Sequence, residues 1–225
     1  MPKKIVLIGA GGFGREVVSI IKILNNYELD HNRKPSYEFL GFLDDDPKYY
    51  PGALINGYPW LGKKGWILDH KDEVLCNCTI GKPSVKAKIQ RSLENEGVKF
   101  ETIAALGSYI FTPLTNIGAG CVFYGGVTIS VNCKIGAGVL LNQNVNIGHD
   151  VVIGDYTTIM PVTGISGDCK IGDEVNIGGH AFIIPGRKIG DRAIIAAGSI
   201  VFSNVKAGTT VLGNPAHRMK GLESQ

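Results

Sequence analysis

The chain has 225 residues, of which 44% are hydrophobic and 19% charged, and its formal net charge at pH 7 is +3. A charge this small gives no reason to expect a nucleic acid or a membrane surface as a partner. The composition is typical of a globular protein with one or two domains, apart from 31 glycines, about twice the usual share of roughly 7%.

The first hundred residues alternate strand-like and helix-like segments. The short apolar run "KKIVLIG" precedes "GAGGFGRE", after which Val17, Ile20, Ile21 and Leu24 fall on one face of a helix. The segments "YEFLGFLDDD" and "DEVLCNCTIG" predict a second and a third strand, and "VKAKIQRSLEN" predicts a second helix. We therefore expect residues 1–100 to form an α/β domain with a small parallel sheet, about half of a Rossmann fold.

The pattern changes after residue 100, and we assign residues 101–225 to a second domain. A bulky apolar residue recurs every six positions through sixteen hexapeptides, with small or β-branched residues at most fifth positions. A period of six predicts a three-sided solenoid in which both positions point inward and each coil takes 18 residues. Arg187 occupies a fifth position, so the chain either loosens there or places Arg187 at an edge. The first positions are Ile117, Phe123, Ile129, Ile135, Leu141, Ile147, Ile153, Ile159, Ile165, Ile171, Ile177, Ile183, Ile189, Ile195, Val201 and Ala207.

The cysteines and the N-terminal segment indicate the cellular compartment in which the protein works. The five cysteines contain no CxxC pair, and an odd number leaves one thiol unpaired in any disulfide scheme. The apolar run near the N-terminus is shorter than a signal peptide or a membrane-spanning helix requires. We therefore expect a protein of the reducing cytoplasm, without a membrane partner.

Four motifs in order carry a family resemblance: "IGAGGFGRE" at 8–16, "GFLDD" at 41–45, "GHD" at 148–150 and "GNPA" at 213–216. With them the chain resembles the hexapeptide-repeat acyltransferases, and within these the nucleotide-sugar branch described as sialic acid O-acetyltransferase-like. The resemblance implies a left-handed parallel β-helix, a homotrimer with active sites between adjacent helices, and acetyl-CoA as the acetyl donor.

His149 is the candidate general base. It occupies the third position of its hexapeptide, near a corner, so its ring should lie outside the coil. Acetyl transfer to an amine requires a proton acceptor, and histidine serves this purpose near neutral pH. Asp150, where the family also has an acidic residue, would orient the ring and stabilise the imidazolium. His180 lies 31 residues away at another hexapeptide position, so we expect no metal site and a structural or peripheral place for His180.

The resemblance places the acetyl-CoA arm along a groove between two helices. We expect contacts from small residues at Gly167, one coil above His149, and at Gly179 and Ala197; ordinary turn residues are the alternative explanation. Thr158 stands where relatives have a histidine that touches the cofactor, so the contact there must either differ or be a weaker hydroxyl bond. Lys188, Arg218 and Lys220 could meet the phosphates of CoA or simply face solvent. We expect a backbone N–H near Gly167 to stabilise the oxyanion.

The N-terminal motif G-x-G-x-x-G is typical of phosphate binding at the start of a helix. Read alone it suggests a nicotinamide cofactor, but the acidic run at 44–46 begins 30 residues after the last glycine, against a usual spacing of about 20. A mononucleotide fits the small domain better. By resemblance the ligand is a nucleotide-activated sugar, held by residues of the glycine loop, the second strand and the third strand: Gly11, Gly12, Phe13, Asp44, Asp45 and Gly81.

Together these features predict an acetyl-CoA-dependent N-acetyltransferase of polysaccharide biosynthesis. It would act on the 4-amino group of a nucleotide-linked amino-deoxy sugar, by direct transfer in a ternary complex. Transfer to a sugar hydroxyl, as on sialic acid, is an alternative within the same class. A non-catalytic trimeric scaffold that binds nucleotide sugar and a nicotinamide-binding regulator are alternatives from other classes. The sequence does not distinguish UDP-, dTDP- and GDP-linked sugars.

Overall fold

The computed structural model of the chain describes residues 1–111 and 114–219. The chain divides into two compact units, Met1–Leu106 and Gly107–Gln225. Lys220, one of the residues considered for the CoA phosphates, lies outside the described residues.

The first unit is an α/β fold around one five-stranded sheet with the order β3-β4-β2-β1-β5. Strands β1, β2, β4 and β5 are parallel, and β3 pairs antiparallel with β4. The expected small parallel sheet is thus confirmed, with an added hairpin. The elements within the range of the first unit are β1 Lys3–Ile8, α1 Gly12–Asp30, β2 Tyr37–Leu43, β3 Leu54–Ile55, β4 Tyr58–Gly62, a 3₁₀ helix Lys64–Asp69, β5 Leu75–Cys78, α2 Pro83–Asn95 and β6 Ile103–Ala104, of which β6 is not a strand of this sheet.

The hairpin was missed from the sequence although its turn carries a signal. Asn56 and Gly57 join β3 to β4, and both have a positive φ, 49° and 83°. This is the Asn-Gly pair that two-residue hairpin turns favour. The strand before it contains only two residues, which is too short for an alternating pattern to be recognised.

The second unit is a three-sided parallel β-helix of two-residue strands. The first side carries β7 Tyr109–Ile110, β10 Thr128–Ile129, β13 Asn146–Ile147, β16 Gly164–Ile165, β19 Phe182–Ile183 and β22 Ile200–Val201. The second side carries β8 Asn116–Ile117, β11 Lys134–Ile135, β14 Val152–Ile153, β17 Lys170–Ile171 and β20 Lys188–Ile189. The third side carries β9 Val122–Phe123, β12 Leu140–Leu141, β15 Thr158–Ile159, β18 Asn176–Ile177, β21 Ile194–Ile195 and β23 Thr210–Gly213, with β24 Ala216–Arg218 paired antiparallel to β23.

The predicted 18-residue coil is confirmed by the strand register. Thr128 pairs with Asn146, and Asn146 with Gly164, each one coil further along. The second residue of nearly every strand is buried, as at Ile129 and Ile147, while the first is exposed or half-buried on the first and second sides. On the third side several first residues are buried as well, among them Val122, Leu140 and Thr158. Stacking these apolar side chains gives the helix a continuous core.

The ends of the solenoid depart from the six-residue period. Tyr109 pairs with Thr128, 19 residues later, so the first coil was not recognised. Near the other end Ile189 bridges to Val205, a step of 16. Ala207 therefore lies at an exposed turn instead of an inward position, and its assignment as the start of a sixteenth hexapeptide is wrong.

Arg187 does not interrupt the coil. Its side chain is half-buried, and its guanidinium donates to the carbonyl oxygens of Pro185 at 3.1 Å and Phe202 at 3.4 Å. These bonds satisfy the carbonyls of its own corner and of the next coil, so the arginine sits at an edge of the solenoid.

Candidate active site

The corner between the first and second sides, here the first corner, holds His149 and Asp150. It lies between β13 and β14, and both side chains are exposed, 58% and 45% respectively. Nδ1 of His149 lies 2.8 Å from Oδ2 of Asp150. The ring therefore lies outside the coil, as expected from its hexapeptide position.

Asp150 is held for this contact by its backbone and by a neighbour. Its φ of 59° is in the left-handed region that the corner requires, and aspartate tolerates this conformation better than most residues. Its other oxygen accepts a hydrogen bond from Nδ2 of Asn132, one coil below, at 3.1 Å. The hydrogen bonds from His149 and from Asn132 lower the pKa of the Asp150 carboxyl.

The tautomer of His149 follows from this pairing. An ionised carboxylate only accepts hydrogen bonds, so Nδ1 carries the hydrogen and Nε2 carries the lone pair. The nitrogen that remains to accept a proton from a substrate is therefore Nε2.

Gly167 lies against the other face of the site, one coil above. A Cβ atom at this position would fall 2.5 Å from Nε2 of His149. The N–H of the following residue, Asp168, donates to the carbonyl of His149 at 3.0 Å. Because any side chain at residue 167 would displace the imidazole, the glycine leaves room for the ring.

The carboxylate of Asp168 adds a second negative charge at this corner. One polar atom from each of His149, Asp150 and Asp168 lies within 4.8 Å of the others. This spacing would suit a metal ion, but all three side chains are exposed and Asp150 is already bonded to His149 and Asn132. Exposed acidic groups of this kind are common without a metal.

The remaining predicted cofactor residues lie elsewhere on the solenoid. Gly179 and Ala197 stack 18 residues apart at the corner between the third and first sides, here the third corner. Gly179 is half-buried and Ala197 is exposed. Within one chain, Gly179 and Ala197 therefore lie at a different corner from His149. Thr158 lies on the third side and is only 3% exposed, which leaves little of its hydroxyl for a bound molecule.

The other basic and histidine candidates are on the surface. His180 is an exposed corner residue with a φ of 58°, and its N–H donates to the carbonyl of Pro161. Lys188 is exposed on the second side, and Arg218 is exposed in β24. None of the three lies at the first corner.

The first unit contains a pocket of about 350 Å³ at the carboxyl ends of β1, β2 and β5. Ligands bind at this edge in open parallel sheets. The six residues predicted from the sequence to hold a nucleotide sugar all line it: Gly11, Gly12, Phe13, Asp44, Asp45 and Gly81.

The spacing of the glycine motif follows from the packing of β1 against α1. Gly9 has a φ of 107°, and a Cβ atom there would lie 2.9 Å from the carbonyl oxygen of Thr79. A Cβ atom at Gly14 would collide with the carbonyl oxygen of Gly9. The first and last glycines therefore bring strand and helix together, and Gly11 and Gly12 begin the helix at the pocket.

The two aspartates after β2 have different partners. The carboxylate of Asp44 accepts the N–H of Ala10 at 2.8 Å and that of Asp46 at 2.9 Å, so it fixes the glycine loop. Asp45 accepts the backbone N–H of Lys64 at 2.9 Å and pairs with its ammonium. Burial alone would raise the pKa of Asp45, but the contacts with Lys64 lower it.

Lys64 and Thr79 were missed by the sequence analysis. Both line the pocket, and the hydroxyl of Thr79 donates to the carbonyls of Ile8 and Gly9 at 3.1 and 2.8 Å. Thr79 directly precedes the "IG" at the end of the predicted third strand, so its place at the sheet edge was available from the sequence. Lys64 follows the unrecognised hairpin and had no such signal.

These features define a class of protein: a hexapeptide-repeat solenoid with an exposed histidine–aspartate pair, preceded by an α/β domain with a pocket at the ends of its parallel strands, is the architecture of sugar acyltransferases. The chain also matches three known protein families. Residues 4–93 match the PglD N-terminal domain, residues 150–185 match the bacterial transferase hexapeptide (six repeats), and residues 115–143 and 169–203 match the hexapeptide repeat of succinyl-transferase.

Individual relatives cover nearly the whole chain. A GDP-perosamine N-acetyltransferase of Escherichia coli O157:H7 is 32% identical over 223 residues, 95% of each protein. The acetyltransferase domain of PglB from Neisseria gonorrhoeae FA1090, solved with acetyl coenzyme A, is 25% identical with a TM-score of 0.82, over 97% of this chain and 100% of that one. PerB from Caulobacter crescentus, solved with CoA and GDP-perosamine, shares the fold at 22% identity and a TM-score of 0.82, over 96% and 97% of the two chains.

The chain belongs to the family of hexapeptide-repeat sugar N-acetyltransferases, and its β-helix is of the left-handed parallel type. The predicted class of enzyme and the predicted fold are confirmed. Among the residues that the structure describes, no helix has the length and apolar character needed to cross a bilayer.

Proposed function

We propose that this enzyme transfers the acetyl group of acetyl-CoA to the 4-amino group of a nucleotide-linked amino-deoxy sugar, with His149 as general base. The observation that carries the proposal is the 2.8 Å contact between His149 and Asp150 on an exposed corner of the solenoid. The match to a GDP-perosamine N-acetyltransferase over 95% of the chain supports the acceptor class, and makes a GDP-linked 4-amino sugar the first substrate to test.

The transfer needs no acyl-enzyme. The amine nitrogen attacks the thioester carbonyl, and Nε2 of His149 accepts the proton that the nitrogen loses as the new C–N bond forms. The C–S bond then breaks, and CoA leaves as the thiolate or, after proton return from the imidazolium, as the thiol. Asp150 stabilises the imidazolium and keeps Nε2 directed away from itself.

Two features of the first corner suit an amine acceptor. Asp150 and Asp168 place two carboxylates beside His149, and their charge attracts a substrate that is an ammonium ion in solution. The ammonium releases one proton to water before the neutral amine attacks, and His149 accepts the second proton as the C–N bond forms. Within the described residues the N–H of Gly167 has no hydrogen-bond acceptor, which supports its proposed role as donor to the oxyanion.

The nucleotide part is proposed to bind in the pocket of the first unit. Its phosphates would lie at the glycine loop, where Gly11 and Gly12 begin α1 and present backbone N–H groups. Because the carboxylate of Asp44 is engaged with the loop backbone, Asp45 and Lys64 are the polar groups on which nucleoside recognition would depend.

We further propose that the enzyme works as a homotrimer in the cytoplasm. The proposed acetyl-CoA contacts lie at two different corners, with His149 and Gly167 at one and Gly179 and Ala197 at another. A second copy would complete the groove. The first side and its corners expose apolar side chains, as an assembly surface requires: Tyr109, Val162, Phe182 and Phe202.

The decisive experiment measures CoA release with UDP-, dTDP- and GDP-linked 4-amino sugars, and with sialic acid as a hydroxyl acceptor. We expect turnover with one amino sugar and loss of about 100-fold or more in kcat for His149→Ala, with nucleotide-sugar binding retained. Acetylation of the hydroxyl acceptor alone would establish the O-acetyltransferase alternative. A wild-type enzyme inert toward the whole panel, yet able to bind a nucleotide sugar, would establish the scaffold.

A further inference from the structure

The turn that carries His149, residues 148–151, packs against a buried thiol. Cys133 lies at the first corner of the preceding coil, directly before β11, and is fully buried. Its Sγ lies 3.1 Å from the carbonyl oxygen of Gly148 and 3.6 Å from that of Val131. A thiol has one hydrogen to donate, and the nearer carbonyl belongs to the residue directly before His149. Cys133 therefore contacts, from inside the solenoid, the backbone that holds the imidazole.

Two backbone groups of this turn have the thiol as their partner, the carbonyl of Gly148 and the N–H of Val151. Within the described residues neither group takes part in a hydrogen bond to another backbone group. The N–H of Val151 lies close enough to the sulfur to lower the pKa of the Cys133 thiol. Buried backbone groups are costly to leave without a partner. The thiol thus fixes the orientation of both ends of the turn.

The thiol keeps its hydrogen for this contact. Burial raises the pKa of Cys133 above its ordinary value, and the contact with the N–H of Val151 opposes only part of the rise. The carboxylate of Asp150 raises the pKa further. The neutral thiol is therefore the form present at neutral pH, and it can donate to Gly148 while its sulfur accepts from Val151.

The same pair of contacts recurs at Thr157, another inward fifth position of the repeat. Its hydroxyl donates to the carbonyl of Gly172 at 2.8 Å and accepts the N–H of Val175 at 3.0 Å. These partners follow Thr157 by 15 and 18 residues, the same two steps that separate Cys133 from its own partners. A hydroxyl can therefore make both bonds from this place in the repeat.

We propose that Cys133 is a positioning residue for the transfer reaction, which holds the turn 148–151 so that the imidazole of His149 meets Asp150. The inference rests on the proposed function, because it takes His149 to be the general base. Cys133 itself touches no substrate, since its side chain is fully buried, and it acts through the backbone of Gly148. Displacing a base by about 1 Å can cost on the order of 100-fold in rate, so a small rotation of the turn is enough.

Two variants of Cys133 differ in whether the donor is present. Cys133→Val fills the space without a polar atom, as Val139 and Val145 do at other fully buried fifth positions. Cys133→Thr restores the donor and the acceptor, as at Thr157. We expect Cys133→Val to lower kcat about tenfold with unchanged KM for acetyl-CoA and for the nucleotide sugar, and Cys133→Thr to return kcat to within about twofold of the wild type.

Cys121→Val is the matched control. The Sγ of Cys121 lies 3.2 Å from the carbonyl oxygen of Gly136, at the corner between the second and third sides, which does not carry His149. This variant removes the same group from the same core and should keep the wild-type kcat. An equal loss of kcat in Cys121→Val and Cys133→Val would overturn the proposal, because the effect would then be a general one on the solenoid. Failure of Cys133→Thr to restore kcat would overturn it as well.

Nitrogen NMR of the His149 ring tests the positioning without any substrate. In the wild type the contact with Asp150 keeps the hydrogen on Nδ1, so the two ring nitrogens should show the shifts of a single tautomer. Cys133→Val should move both shifts toward those of a tautomer mixture, and Cys133→Thr should not. Unchanged shifts and unchanged kcat in Cys133→Val would refute the role of Cys133, even where His149→Ala abolishes transfer and the proposed function stands.

The opposite result is distinguishable. Should the wild type prove inert toward every amino sugar while the ring shifts of His149 still respond to Cys133→Val and recover in Cys133→Thr, the proposed function fails and the support of the imidazole by Cys133 stands.

Discussion

The imidazole of His149 and the backbone of Gly167 occupy adjoining space: a Cβ atom at Gly167 would fall 2.5 Å from Nε2 and 2.6 Å from Cε1. Real Cβ atoms do not approach this closely, so the absence of a side chain at residue 167 determines where the ring can lie. The two residues are 18 apart in sequence, which is one coil of the solenoid.

Replacing Gly167 by alanine should therefore impair catalysis more than folding. The φ of Gly167 is not in the left-handed region, so alanine fits the backbone and only the imidazole has to move. Misplacement of a catalytic group by about 1 Å can cost on the order of 100-fold in rate, and we expect a loss of about 10- to 100-fold in kcat. Steady-state kinetics and a thermal melt check this.

Gly65→Ala provides the control, because a Cβ atom there has open space around it and its φ is also outside the left-handed region. It should keep wild-type kinetics. If Gly167→Ala retained wild-type kcat, or if it lost activity only in proportion to a lower melting temperature, the proposed fit between ring and glycine would be wrong.

Replacing Asp150 by asparagine should lower kcat by about 100-fold at neutral pH. Its lowered pKa keeps the wild-type carboxylate ionised at every pH above about 4, so the contact with His149 is present there and is lost only as the pH falls through the lowered value. Asparagine preserves the shape but not the charge that stabilises the imidazolium. The pH dependence of kcat from 5 to 9 provides the measurement.

Asn132→Ala is the companion variant for this prediction. It removes the 3.1 Å bond to the other oxygen of Asp150 but leaves the charge and the contact with His149, so it should cost much less than Asp150→Asn. Equal losses of kcat in both variants would show that Asp150 contributes through the geometry of the loop and not through its charge.

The sequence predicted those parts of the site that lie close along the chain or one period apart. His149 and Asp150 are adjacent, and Gly167 follows from the 18-residue coil, so their proximity was available before the structure. Contacts between residues separated by irregular segments could not be predicted from the sequence. Lys64 pairs with Asp45 only because the hairpin β3-β4 intervenes, and the burial of Thr158 depends on packing that no repeat pattern encodes. The slip that exposes Ala207 comes from a coil two residues shorter than the rest.

Asp44→Ala should weaken binding of the nucleotide sugar without affecting acetyl-CoA. The carboxylate of Asp44 holds the N–H of Ala10 and of Asp46, so its removal frees the glycine loop from the end of β2. We expect KM for the nucleotide sugar to rise about tenfold. Lys48→Ala, which removes an exposed ion pair with Asp46 outside the pocket lining, should leave both KM values unchanged. A rise in KM for acetyl-CoA would contradict the assignment of this pocket to the nucleotide sugar.

The core of the first unit should lose stability in alkali through its buried thiols. Burial raises the pKa of Cys78 from its ordinary value of 9.0 to about 12. The folded state therefore holds the thiol proton at a pH where the unfolded chain has released it. The stability contributed by the neutral thiol is complete below about pH 9 and falls as the pH rises toward 12, by about 1.4 kcal/mol per pH unit for one thiol.

Cys78→Ala should accordingly flatten the decline in unfolding free energy between pH 9 and 11, measured by urea denaturation at each pH. Val98→Ala, a truncation in the same buried cluster without a titratable group, should lower stability by a constant amount and keep the wild-type slope. Cys78 should also resist thiol reagents in the native protein, because the thiolate is the reactive form. Parallel curves for wild type and Cys78→Ala would show that this thiol is not held neutral by the fold.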